Sequence, residues 1–507
     1  MAVMTRVPFV CAVISHTFFF INGAPTFVFP KTLESRSEDG AMTLALTNDL
    51  KLNLKKSSVF APEFFIYSSR DRTPVRYHML GPEMEKTLYH STDNMVSVDV
   101  SEEDGMKIEG IVGDSLRIKP VLGMERSLDA PNGHLLYTAE APIRHHRAHN
   151  DYGIAENKAI PLVQSRSIGS QRRRLPDEIH PELHVVVDYQ LSLELGFDET
   201  RIAKYLAILT NAANLRFQSM AQPRVQLRIV GITVTKAITE EPYIVHLEGY
   251  NHTRNILYEE TVQKFNAFVL NQTYFDDADI VFLLTGRNMS RWKDGTLEHR
   301  TGGFAYLGGV CTKWKVGMSE ERADSFYGVY VYAHEIAHSL GCAHDGDGAS
   351  IWPAGHIGSE DCSWYDGYMM SYEFVKPNMF SFSGCCQREV MNIYNRPNYR
   401  CLREKRSQRT GLSVSQLPGE VSNLDTFCRK VYNTFPFVEA DKEYNMSRCQ
   451  VRCYIDKELH SMIITAVDGV ECGKNMICIL GNCTSRRTKQ KEPNIIQKAL
   501  EWITFLW

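Results

Sequence analysis

Residues 334–345 read His-Glu-Ile-Ala-His-Ser-Leu-Gly-Cys-Ala-His-Asp. On a helix, His334 and His338 are four apart, so both imidazoles leave the same face and can share one ion. Glu335 follows the first of them and can lie beside a water on that ion, where a carboxylate accepts and returns a proton. Gly341 tolerates a left-handed turn, which lets the chain leave the helix and fold back. That return would bring in His344 as a third ligand. Three nitrogen ligands with a fourth position open is the pattern of a catalytic zinc ion, whereas a structural zinc is closed by four protein ligands. A bare His-Glu-x-x-His arises by chance on ordinary helices. The added Gly341, His344 and downstream methionines make this form specific.

Several elements must position these groups. Phe326, Val329, Tyr330, Ala333 and Ala337 recur at helical spacing, which predicts a buried helix over 325–340, with Asp324 or Ser325 as its cap. Glu199 to Phe217 also reads as a helix, with Ile202, Leu206, Leu209 and Leu215 among its apolar positions. Leu183 to Tyr189 and Val225 to Val234 read as buried strands. Met95 to Val100 alternates as a strand does. The alternation of strand and helix predicts an α/β sandwich, with the histidine helix below a twisted sheet.

The histidine stretch resembles that of the metzincin zinc endopeptidases. Asp345, directly after the third histidine, is similar to the reprolysin (adamalysin) branch, with its snake-venom, ADAM and ADAMTS enzymes. Asp366-Gly-Tyr-Met-Met-Ser-Tyr372 resembles the methionine turn of that clan, with Met370 the expected methionine and Met369 the runner-up. Asp277 to Gly286 is similar to the strand before the substrate-binding edge, and Gly302 to Cys311 looks like the edge itself. The resemblance covers about residues 180–402, and its flavour is that of the secreted salivary reprolysins of ticks. It implies the metzincin catalytic fold and a zinc-dependent endopeptidase. The ion would be held by His334, His338 and His344, with Glu335 as acid–base. A peptide would lie antiparallel to Gly303, Phe304 and Ala305, and residues 371–380 would shape a pocket. A calcium ion is also compatible with it. Tyr372 departs from the branch, since reprolysins usually lack a tyrosine two residues after the turn methionine. It looks like the serralysin and astacin pattern, and is expected to act as an extra ligand or a transition-state donor.

A chain of 507 residues exceeds one core. Residues 1–23 read as a signal peptide, with Arg6 before an apolar run and small residues at Gly23 and Ala24. Residues 24–174 form a cysteine-free, β-rich segment ending in Arg172-Arg-Arg174, which looks like a propeptide cleavage site even though Gln171 stands where an arginine is preferred. The catalytic domain is expected over 175–402. A basic linker over 403–425 follows, with a second cleavable run at Arg403-Glu-Lys-Arg406. Residues 426–484 make a small cysteine-rich module resembling an ADAMTS segment, and 485–507 form a tail with an apolar face. Cys11 lies in the signal segment, and the other twelve cysteines all follow residue 310, six in the catalytic region and six near the C-terminus. Disulfides within each group are expected, with connectivity open among about 15 pairings per group.

Sequons at Asn251, Asn271, Asn288 and Asn445 point to glycosylation. These signals predict a secreted, extracellular zymogen, expected to be a monomer, and the resemblance implies matrix or plasma proteins as substrates. No stretch is long and apolar enough for a stable membrane span, and a net charge of −4 argues against nucleic acid as a partner. Residues 24–310 lack a cysteine, so a thiolate cannot block the ion from there. Steric blockage is the expected latency, with Arg144-His-His-Arg-Ala-His149 a cleavable loop or an imidazole source. The contrasting expectation is a secreted binding or antagonist protein acting through its cysteine-rich module.

Overall fold

The computed structural model of the protein describes residues 25–34, 41–102, 105–121, 132–139, 151–154, 178–247, 254–299, 302–404, 424–432, 435–466, 470–479 and 482–485. Eight strands form the sheet that carries the histidine helix. They are β1 (Phe60–Arg70), β2 (Thr73–Leu80), β3 (Tyr152–Gly153), β4 (Glu182–Val187), β5 (Arg228–Val234), β6 (Ile280–Thr285), β7 (Gly303–Tyr306) and β8 (Val316–Glu320). Their order across the sheet is β3-β7-β8-β6-β4-β5-β1-β2. Strands β1, β5, β4, β6 and β8 are parallel, and β7 turns antiparallel against β8.

Both faces of this sheet are covered, which is why β4 and β6 read as unbroken apolar runs. Val185, Val187, Phe282 and Leu284 share one core with the helices α1 (Glu199–Phe217) and α3 (Val329–Ser339). Val186, Val281 and Leu283 belong to the opposite core, with Val262, Phe265 and Val269 of α2 (Tyr258–Leu270). A fourth helix, α4 (Gly384–Tyr394), packs Val390 and Ile393 into the first core. Each such side chain, fully buried, stabilises by about 1.5–3 kcal/mol.

Helix α1 has the bounds its periodicity predicts, and Asp198 caps it by accepting from the Arg201 N–H. Two boundaries differ from expectation. Helix α3 begins at Val329 behind Gly328, so neither Asp324 nor Ser325 caps it. Asp324 and Phe326 are left-handed, and tertiary contacts hold the loop out of the helix. The Phe326 ring stacks on Tyr205 at 4.2 Å, its N–H donates to the Tyr205 hydroxyl, and Arg117 donates to the Ser325 carbonyl. The expected strand 225–234 is broken at Gln226 and Leu227. The Asn214 side-chain amide bonds both the N–H and the carbonyl of Leu227 in place of a strand.

The N-terminal segment forms an antiparallel nine-stranded sheet between Thr26 and Thr138, with Leu44, Leu52, Val98 and Ile108 in its core. It lies against α1, where the Ser97 hydroxyl donates to the Ile208 carbonyl and accepts from Asn211. The central sheet takes strands from both sides of residue 174. Strand β1 pairs with β5, setting Phe65 beside Gly231 and Ile66 beside Ile232, and β3 occupies the opposite edge. The reason is physical: an uncovered β5 would leave a row of unpaired backbone groups, and Phe64 and Ile66 complete the core beneath it.

The cysteines pair within the two expected groups, as 311–401, 342–386 and 362–385, and as 428–453, 449–478 and 472–483. In the C-terminal module Cys428, Cys449, Cys453 and Cys478 pack with Val438, Val451 and Val470 as a small core of its own. No helix among the described residues is long and apolar enough to cross a membrane. The signal segment, Arg144–His149, Arg174, Asn251, Arg406 and nearly all of the tail lie outside the described residues.

Candidate metal centre and active site

Helix α3 is buried along its whole length, so its histidines work in a dry environment. Its end is built as a Schellman motif. The Cys342 N–H bonds to the Ala337 carbonyl and the Gly341 N–H to the His338 carbonyl. Gly341 has φ +99°, and a Cβ there would come within 2.5 Å of Ile393 on α4. Only glycine suits both demands, and the reversal it allows carries His344 back over the helix face. The Cys342–Cys386 bridge fastens this turn to α4.

The three imidazoles converge. His334 and His338 donate through Nδ1 to the carbonyls of Met369 and Cys342, each at 2.6 Å. Their Nε2 lone pairs therefore point inward, which is the tautomer a metal requires. The Nε2 atoms of His334 and His344 are 3.3 Å apart. Ligand bonds of about 2.0–2.1 Å in a tetrahedral zinc site put neighbouring nitrogens about 3.3 Å from one another. The His338 Nε2 is buried without a hydrogen-bond partner. That spacing and the unpartnered His338 nitrogen fit zinc, and burial pulls His338 down to about 4, which favours its neutral, ligating form.

Glu335 is fully buried, and neither of its carboxylate oxygens has a hydrogen-bond partner. Burial first, and the negative charge of Asp151 second, push its carboxyl well above the usual range. It sits beneath β7: a Cβ on Gly303 would lie 2.5 Å from the Glu335 Cγ. The edge strand thus has room for this carboxylate because Gly303 has no side chain. Phe304 and Ala305 continue the strand and pair with Met318 and Gly317 of β8.

The turn at 366–372 holds the ligands from the other side. The Met369 carbonyl accepts from His334 and from the Tyr330 hydroxyl, while the Met370 carbonyl accepts from the Asp345 N–H. Both methionine side chains are wholly buried. The Asp345 carboxylate accepts from Ser383, the cap of α4, so the residue after His344 is tied to that helix. Tyr372 is buried, with its ring 4.8 Å from that of His334 and its hydroxyl aimed at the centre.

The partner of that hydroxyl is a residue the sequence reading did not find. Asp151 brings its carboxylate among the three histidines, and Tyr372 donates to it at 2.6 Å. The run Arg144–His149, a cleavable loop or an imidazole source by the sequence, lies outside the described residues, and Asp151 follows it by two positions in the chain. Its neighbours Tyr152 and Gly153 lie on β7, where a substrate was expected, and run parallel to it. Nothing local marked Asp151. It is separated from His344 by 193 positions, and a lone Asp-Tyr-Gly has no periodicity to read.

Residues 181–383 match the family model Reprolysin_5, metallo-peptidase family M12. Over this span the chain is similar to reprolysin-type metallopeptidases. A protein described as "a disintegrin and metalloproteinase with thrombospondin motifs like", from Bombyx mori, is 27% identical to it over 329 residues. That match covers 62% of this chain and 45% of the relative, so the chain spans less than half of that protein. The venom metalloproteinase antarease of Tityus serrulatus is 25% identical over 395 residues, covering 75% of this chain and 94% of the relative. Venom metalloproteinase BumaMPs1 of Olivierus martensii is 26% identical over 359 residues, covering 69% and 85%. His334, His338, His344 and Glu335 all fall inside the matched span.

The remaining sequon residues are placed differently from one another. Asn271 and Asn445 are exposed. The Asn288 amide is engaged at both ends, donating to Asn255 and accepting from Arg322.

Proposed function

We propose that the chain is a zinc-dependent endopeptidase, exported and made as a zymogen, that hydrolyses peptide bonds in extracellular proteins. The observation that carries this reading is the convergence of three Nε2 atoms beside an unpartnered, buried Glu335 carboxylate under a glycine-bearing edge strand. His334, His338 and His344 would hold a zinc ion, which would supply a Lewis acid for a carbonyl and lower the pKa of water to about 7. Glu335 takes the proton of the attacking water and delivers it to the leaving nitrogen.

Gly303, Phe304 and Ala305 offer backbone groups for an antiparallel substrate strand. The Tyr372 hydroxyl donates to the oxygen on which charge develops. Cleavage after Arg174 releases the mature enzyme. Six disulfides support export, as do relatives named venom metalloproteinases. Matrix and plasma proteins are the substrate class, and the enzyme acts as a monomer.

Glu335→Ala tests the assignment on processed protein. Cleavage of a fluorogenic peptide library should fall by about 10²–10⁴-fold, the usual contribution of a general acid–base. Metal content by mass spectrometry should stay at one ion per chain. Surviving hydrolysis, or loss of the ion, overturns the reading.

A further inference from the structure

We propose that Asp151 is the fourth ligand of the metal in the uncleaved chain, a carboxylate latch that closes the site before processing. This rests on the metal site proposed above and adds the means of its latency.

Asp151 is 2% exposed, and its carboxylate is placed as a ligand would be. One oxygen lies 3.1 Å from the His344 Nε2 and 3.7 Å from the His338 Nε2, and the other lies 3.5 Å from the His334 Nε2. All four donor atoms lie within 4.8 Å of one another. Tetrahedral zinc with nitrogen and oxygen ligands near 2.0–2.2 Å needs edges of about 3.3–3.5 Å, so these separations fit a closed four-ligand site. The electrostatics agree. His334 and His338 have committed their Nδ1 protons to carbonyls, so Asp151 faces their lone pairs. A buried anion facing lone pairs is repelled, and a cation at the common centre makes every one of these contacts attractive.

The backbone holds the latch in the substrate's place. Ala305 donates to the Asp151 carbonyl and Leu307 to the Gly153 carbonyl, which uses edge groups of β7 that a peptide would need. Tyr152 covers the histidines, its ring 4.6 Å from His338, and its hydroxyl donates to Asp347 at 3.0 Å. A Cβ on Gly153 would meet the Phe304 ring at 2.7 Å, so this tight seating uses a glycine. Strand β3 runs parallel to β7. It is therefore reversed from the expected substrate direction, and its peptide bonds present the opposite polarity to Glu335. Tyr372, the proposed oxyanion donor, is spent on Asp151. One segment thus blocks the open coordination position, the edge strand and the hydroxyl together, and does so without a cysteine.

The test uses intact, unprocessed chain, verified by mass and loaded with cobalt(II), whose visible spectrum reports its ligands. Acetohydroxamate is the probe for an open position. In the native chain the probe should leave the spectrum unchanged up to high concentration. In Asp151→Ala it should bind with a spectral shift, at least about 100-fold tighter, as expected when a tethered competitor is removed. Asp151→Cys guards against misfolding, since it should restore exclusion and add a sulfur-to-cobalt absorption band. Equal probe affinity in the native chain and Asp151→Ala overturns the latch, as does a folded Asp151→Cys chain without the band. A chain that takes up no cobalt overturns the metal site itself, a different failure from uptake with indifferent spectra.

Discussion

Gly303→Ala isolates how the edge strand positions the acid–base. The substitution adds one methyl group. Its Cβ would lie 2.5 Å from the Glu335 Cγ, 2.6 Å from its Oε1 and 2.6 Å from a Val331 methyl. Ordinary carbon contacts lie at about 3.5–4.0 Å, so something must move by about 1 Å. Gly303 is not in the left-handed region, so alanine is compatible with its backbone and the effect comes from the clash. Val331 is locked in the core, and β7 is bonded to β8. The Glu335 carboxylate, with no hydrogen bond to hold it, is the group that yields. A misplacement of about 1 Å can cost about 100-fold in rate, or roughly 2.7 kcal/mol of barrier. Overpacking should add about 1–3 kcal/mol of destabilisation. On processed enzyme and a fluorogenic peptide, kcat should fall about 100-fold while KM and metal content change little, because the strand's backbone groups remain. A variant with kcat within threefold of the native enzyme would refute the close packing of Gly303 on Glu335. A matching loss of metal would refute the claim that the clash acts through the carboxylate.

Two further outcomes concern stability. Arg287 bridges the buried carboxylates of Asp188 and Glu241, and Arg287→Leu leaves both charges unpaired. A loss of about 3–5 kcal/mol is expected in denaturant titration, and a loss below about 1 kcal/mol would contradict it. Glu321 lies before α3, accepts from the Arg322 and Gly328 N–H groups, and is raised by burial from 4.5 to about 7. Below pH 4.5 both states hold the proton, and between 4.5 and 7 only the folded state keeps it. Stability should therefore fall by roughly 3 kcal/mol as pH rises through that window and level off above it. Glu321→Gln should flatten that slope in urea midpoints measured from pH 4.5 to 8, and an unchanged slope would sink the idea.

The legible parts of this chain were those whose signal is local. Helix α1 follows from its apolar period over Glu199–Phe217. The convergence of His334, His338 and His344 follows from a four-residue helical step and a glycine reversal, both decided within twelve residues. The grouping of cysteines was legible from their clustering, but their partners were not, since pairing depends on which α4 face meets the turn after α3. The start of α3 was misjudged because Tyr205 and Arg117, both far away in sequence, hold Phe326 outside the helix.

Composition and spacing determined that a three-histidine metal site with an adjacent carboxylate would form in a chain rich in late cysteines. Tertiary structure alone decided what faces that site. Strands β1 and β2 from the N-terminal segment complete the sheet at one edge, and β3 closes it at the other. Asp151 arrives at the metal position from 183 residues before His334. Such pairings are fixed by backbone hydrogen bonds along sheet edges and by the charge a closed cavity will accept. Neither leaves a pattern in neighbouring residues.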